Sequence, residues 1–290
     1  MAIISISSFF LVAMGQLQVN GFTDLKQSKF LFCDSQEIAV GFFKKNKLEL
    51  NPLNLSLKIE DIHNCSYSKE KKLIIAAVSN RQFAQHEILF INPNNGLVNV
   101  LMKQEIIYHV SISNSGENIV FTAPPTKGDN GVSLYLYDLE KGLIHLLVAD
   151  EVHRLSIPSW SIDGKKIVYH DIHNQIICVN FSTGEKREIF TTGEFPVFSP
   201  FNANQIAYIK DGRIYIWDFM TKASKEIFRS NWFWQSEPFG RLSWSINGKY
   251  IIFCRATGLT GYKKTFYAVN VKDKKVMKIY EGYIKELQFM

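Results

Sequence analysis

The chain has no uninterrupted apolar run of the roughly 18 residues that a membrane-spanning helix requires, so no such helix is expected. It also lacks any sustained 3.6-residue apolar period, which argues against amphipathic helices as its building material. Cysteine is scarce. The four at 33, 65, 178 and 254 show no C-x-x-C spacing and no compact disulfide framework, so nothing in them demands an oxidising compartment. Cys178 and Cys254 fall in apolar stretches and read as buried thiols. There is no G-x-S-x-G, no phosphate-binding loop, no H-E-x-x-H and no dinucleotide fingerprint, so the common hydrolase, nucleotide and zinc-protease signatures are excluded. No linker or low-complexity tract divides the 290 residues, and one domain over 1–290 is expected.

What the chain does have is a repeated phrase. "PSWSIDGKKIVYH" at 158–170 returns as "LSWSINGKYIIFC" at 242–254. Weaker copies anchor on Ser113, Ser68, Ser199 and Cys33. The anchors 33, 68, 113, 161, 199 and 245 are spaced by 35, 45, 48, 38 and 46 residues. Repeats of ~40–45 residues with four strands each are the signature of a β-propeller. Within a unit, "IPSW", "KKIVYH", "NQIICVNF" and "KREIF" read as strands rich in β-branched and aromatic residues, separated by Asp, Asn, Gly and Ser turns. The fold class is all-β.

The phrase "PSWSIDGKKIVY…STGEKREIF" resembles the TolB-type propeller repeat, in which a Ser-Pro-Asp-Gly-Lys-like turn precedes an aliphatic strand. Ile162, Ile246 and Asn247 depart from that pattern, and the units at 33 and 68 depart further. The resemblance covers about residues 29–285. It implies a fold and not an activity, since such propellers serve as binding platforms, peptidase gates and polysaccharide-acting enzymes.

One further step of 45 residues from Ser245 lands on Met290, and "YIKELQFM" looks like a strand ahead of another anchor. "FFLVAMGQLQVNGF" at 9–22 looks like two more strands. The expectation is therefore a ring of seven four-stranded blades, the closing blade split between residues 1–28 and 284–290, with six blades as the alternative. Splitting a blade across the termini leaves no open sheet edge. Residues 1–15 could instead be a signal peptide. They lack a basic start and are interrupted by Ser5, Ser7 and Ser8, so a strand pair and a cytoplasmic location are expected. The alternative, toward which the TolB resemblance pulls, is periplasmic or secreted.

Alternating strand direction sorts the loops onto two faces. The bottom, with the Asp-Gly turns, carries many lysines, among them Lys165, Lys222 and Lys274. Net charge is +6, but acids are interspersed and no aromatic-plus-Arg platform is present, which argues against nucleic acid as a partner. The top gathers His63, His86, His109, His153, His170 and His173, with Arg81, Arg154, Arg213, Arg241, Arg255 and the aromatic loop around Trp232, Phe233 and Trp234. Arg pairs carboxylates in a two-pronged geometry, neutral His adds hydrogen bonds, and exposed Trp anchors protein interfaces.

The expected binding set is His63, His109, His153, Arg154, His170, His173, Trp232, Trp234 and Arg241, with no catalytic residue assigned. The function read from it is non-enzymatic: a scaffold that binds another protein, or an anionic ligand, through its top loops. No cofactor is expected. The alternative is an enzyme acting on a sugar acid or other small anion at the channel mouth, through His and Arg or through a divalent metal on the histidines.

Overall fold

The computed structural model describes residues 25, 28–44, 47–59, 61–80, 85–125, 131–180, 186–230, 238–257, 263–282 and 286–290. The first blade begins with β1 (Lys29–Cys33), β2 (Ile38–Lys44) and β3 (Lys47–Pro52). The second comprises β4 (Asp61–Ser68), β5 (Leu73–Asn80), β6 (Gln85–Ile91) and β7 (Val98–Gln104). The third comprises β8 (His109–Ile112), β9 (Asn118–Ala123), β10 (Ser133–Asp138) and β11 (Leu143–Val148). The fourth comprises β12 (Ser159–Trp160), β13 (Lys166–His170), β14 (Gln175–Asn180) and β15 (Lys186–Thr192). The fifth runs through β16 (Glu194–Phe198), β17 (Gln205–Lys210), β18 (Arg213–Asp218) and β19 (Ala223–Arg229). The sixth runs through β20 (Pro238–Trp244), β21 (Tyr250–Thr257), β22 (Lys263–Asn270) and β23 (Val276–Gly282). Finally β24 (Glu286–Phe289) returns to the first blade, whose strand order is β24-β1-β2-β3.

The ring therefore has six four-stranded blades, not seven. The miscount has a local cause. In the later blades the anchor serine ends the inner strand, and its N–H donates to the carbonyl that opens the second strand: Ser161 to Lys166 at 2.9 Å, Ser245 to Tyr250 at 2.8 Å. In the first blade Met290 makes that bond, to Lys29 at 2.9 Å. Met290 is thus the anchor of the first blade, and Cys33 sits one strand further on, at the β1–β2 hairpin. Counting both counted one blade twice. The C-terminal strand does close the ring, but its partner is β1, in the register Phe30↔Phe289 to Cys33↔Glu286. The expected strands at 9–22 and the possible signal peptide at 1–15 lie outside the described residues.

The repeated turn has a hydrogen-bonding reason. The Ser161 hydroxyl donates to Asp163 Oδ1 at 2.5 Å and accepts from the Lys166 N–H at 2.9 Å. Ser245, Asn247 and Tyr250 repeat the arrangement at 2.8 and 2.9 Å. Gly164 and Gly248 both stand at φ 67°, a left-handed conformation that costs glycine little.

The core lies between blades. Six apolar clusters each join two neighbouring blades, including the last to the first, where Phe30 and Phe32 meet Ile252, Phe266 and Ile279. Because strand residues alternate faces, Ile74 and Ala76 pack toward the first blade while Ile75 and Ala77 pack toward the third. This is why the middle strands read as continuous apolar runs rather than alternating ones.

Outer edges are blunted. In the outer strands of blades two to six, one extra residue interrupts the ladder, at Leu101, Leu147, Phe190, Ile227 and Ile279. Such bulges twist an edge away from further pairing. The first blade's outer strand keeps regular register but carries Lys47, Glu49 and Pro52. Among the described residues no helix is long and apolar enough to cross a membrane.

Candidate functional site at the top mouth of the ring

Inner strands start at the top, and three of them are irregular there. His63 is an extra residue in β4, between Ile62 and Asn64. In β16 the register shifts between Glu194 and Val197, with Phe195 at φ 50°. In β20 it shifts between Phe239 and Ser243, with Gly240 at φ 72°. Bulges re-aim side chains, and a bulky aromatic held in the left-handed region stores strain of the kind that clusters at binding sites.

These irregular strands bring histidines together. The His63 and His86 rings lie 4.8 Å apart, and His153 stacks on His170 at 4.9 Å. Phe195 meets the His170 ring edge-on at 5.4 Å, and its N–H donates to His170 Nδ1 at 3.3 Å. His63 Nε2 hydrogen-bonds the Ser79 hydroxyl, and His86 Nδ1 donates to the Ile107 carbonyl at 3.0 Å. Arg241 reaches from the sixth blade to the second, where its Nη1 donates to the Cys65 carbonyl at 2.9 Å. Arg154 is exposed and lies over the Tyr108 ring at 4.8 Å.

Electrostatics follow from the packing. Burial pushes His109 down to about 4, and the positive charges of Arg241 and His63 push the same way; the Arg154 backbone offsets part of this. Burial, then His153 and His109, push His170 down to about 3. Burial also lowers His86, against the opposing pull of the Ile107 carbonyl and Asp61. Among the described residues, no carboxylate figures among the groups that act on His109 or His170. His109 Nδ1 is buried and finds no hydrogen-bond partner among the described residues, a condition that costs stability until some partner meets it.

Of the expected set, His63, His109, His153, His170 and Arg241 gather at the mouth, with Arg154 on its rim. His173 does not join them. It is exposed at the β13–β14 hairpin, and its main-chain N–H, bonded to Asp171 Oδ1 at 2.9 Å, is what the turn uses. Trp232, Trp234 and Arg81 lie outside the described residues. Arg255 is 5 % exposed and structural: it donates to the Ser230 hydroxyl at 2.7 Å and lies between Phe228 and Tyr267. Among the described residues, no three His, Cys, Asp or Glu side chains converge where a metal ion could sit.

Two features escaped the sequence reading. Phe195 and Tyr108 brace the histidine and arginine side chains, yet nothing in their spacing marks them. A cleft of about 440 Å³ also opens beside the β1–β2 hairpin, lined by Gln36, Glu37, Leu53, Leu55, Leu57 and Lys58.

No family model matches the sequence, and no curated protein sequence matches it. Solved structures do. TolB from Acinetobacter baumannii superposes with a TM-score of 0.72 at 13% identity, over 91% of this chain and 67% of that one. A chain of a nidogen/laminin complex gives 0.68 at 11%, over 90% and 98%. A TolB protein of Agrobacterium tumefaciens gives 0.62 at 13%, over 89% and 90%. The fold is that of a TolB-like β-propeller.

Proposed function

We propose that this chain is a binding propeller that holds a protein partner at its top mouth by an anionic group, a side-chain or terminal carboxylate. The observation that carries the reading is the convergence of His63, His109, His153, His170 and Arg241 from four blades, with a buried His109 Nδ1 that finds no hydrogen-bond partner among the described residues. A neutral imidazole offers one donor and one acceptor, and Arg a two-pronged donor. Trp232 and Trp234 are proposed as the apolar anchors of the same interface. The nidogen/laminin structure is that of a complex, which lends weight to a protein partner. The likeness to TolB favours the periplasmic alternative and lends nothing to the cytoplasmic expectation.

Binding is preferred to proton-transfer catalysis on a chemical ground. A general acid or base works best with its pKa near the operating pH, and His109 and His170 stand at about 4 and about 3. The test is capture from native extract. The wild-type chain should retain a partner that Arg154→Glu and the Trp232→Ala/Trp234→Ala pair each release, with unchanged melting. Retention by all of these variants would refute the top-face reading.

A further inference from the structure

Cys33 ends β1 in the first blade, and Cys65 lies in β4 of the second. Both are fully buried, at 0 % exposure, and both belong to the apolar cluster that joins those two blades. The Sγ of Cys65 lies 2.8 Å from the Sγ of Cys33. Two non-bonded sulfurs in an apolar seam gain little from such an approach, because a thiol is a weak donor and a weak acceptor. Cys178 and Cys254 sit in two other clusters, so the pairing choice is made by the fold. The position also matters to the ring. Cys33 pairs with Glu286 in the register that binds the C-terminal strand, and the Cys65 carbonyl receives Arg241 from across the mouth.

We propose that Cys33 and Cys65 are a disulfide-forming pair that staples the closing blade to its neighbour. The oxidant is a small or protein-borne disulfide, such as oxidised glutathione. One cysteine thiolate attacks that disulfide, forming a mixed disulfide and releasing one thiol. The second thiolate then displaces the remaining half, forming the Sγ–Sγ bond and releasing a second thiol. The two protein thiols lose two protons and two electrons, and the donor disulfide gains them. Since both sulfurs are inaccessible once the blades have docked, the exchange belongs to folding. The finished bond is shielded from reductants. The staple closes a loop of about 30 residues in the unfolded chain, which restricts that ensemble. It does not rest on the binding role of the mouth.

The experiment is refolding of the full chain from reducing denaturant into reduced and oxidised glutathione. Free thiols are then trapped with N-ethylmaleimide and the chain is digested without reductant for mass spectrometry. The expected product is one linked peptide pair joining Cys33 to Cys65, with Cys178 and Cys254 carrying maleimide. Its melting temperature should exceed that of the chain refolded in reductant alone by roughly 5–10 °C. In Cys65→Ala the two conditions should give the same melting temperature. Maleimide on both Cys33 and Cys65, or either one joined to a different cysteine, overturns the proposal; because it is read on the unsubstituted chain, no folding defect of a variant obscures it.

Discussion

Lowering the pH from 6 to 5 should cost the folded chain roughly 2 kcal/mol, with two buried histidines responsible for most of it. His109 and His170 stand at about 4 and about 3 in the fold, against about 6.5 in an unfolded chain. A histidine depressed by folding stays neutral in the native state while its unfolded counterpart takes up a proton. Stability is therefore complete above about pH 6.5 and is lost as pH falls toward the folded value. Between pH 6 and pH 5 the unfolded chain binds nearly two more protons than the folded one, a limiting slope of about 2.7 kcal/mol per pH unit. His86, also lowered by burial, adds in the same direction. Carboxylates titrate mostly below this window. Urea denaturation at pH 7, 6, 5.5 and 5 measures the slope directly, and His109→Gln should remove close to half of it. Stability that is flat from pH 6 to pH 5, or an undiminished slope in His109→Gln/His170→Gln, would show that these rings are not buried neutral at the mouth.

Further outcomes follow from the blades. Lys222 and Lys274 hold φ 52° and 59° where the matching turns of other blades have Gly96 and Gly142, so Lys222→Gly or Lys274→Gly should each stabilise by about 0.5–1 kcal/mol in thermal melts; a comparable loss would contradict the strain argument. Leu287, 3 % exposed in the strand that closes the ring, should cost about 2–4 kcal/mol as Leu287→Ala in denaturant titration, and an effect under about 0.5 kcal/mol would mean the clasp is dispensable. Among the outer strands of the described residues, β11, "LIHLLV", alone has no charged residue, and Leu143, Ile144 and Leu146 are 52 %, 44 % and 54 % exposed. Ile144→Lys/Leu146→Lys should lower self-association in light scattering without changing the melting temperature; unaltered scattering, if the wild type does associate, would place the sticky surface elsewhere.

Much of the architecture was legible because one turn carries it. Ser161, Asp163 and Gly164 each have a bonding or backbone role, so the phrase recurs wherever that turn recurs. The blade count was not legible at Cys33, because a strand followed by a polar hairpin looks the same one strand out of phase; the Met290 to Lys29 bond and the pairing of β24 with β1 distinguish the two. Sorting loops by strand direction was enough to bring His63, His109, His153, His170 and Arg241 to one face. It could not find the bulges at His63 and in β16 and β20, since an extra residue in a ladder leaves no mark in a single sequence. Nor could it separate His170 from His173: His170 turns inward onto His153 while His173 stays in solvent. The Cys33–Cys65 approach was hidden too, because which residues meet across a blade seam depends on the phase that the count had wrong.

Partners are proposed to meet this chain at the top mouth. Site-specific photo-crosslinking reads this directly, with the photoreactive residue placed in turn at Arg154 and Ile172 on the top and at Lys222 and Lys274 on the bottom, all on a chain expressed in its native cell. A protein adduct is expected from the two top positions and none from the bottom pair. Adducts formed only from Lys222 and Lys274 would contradict it and move the binding surface to the opposite face of the ring.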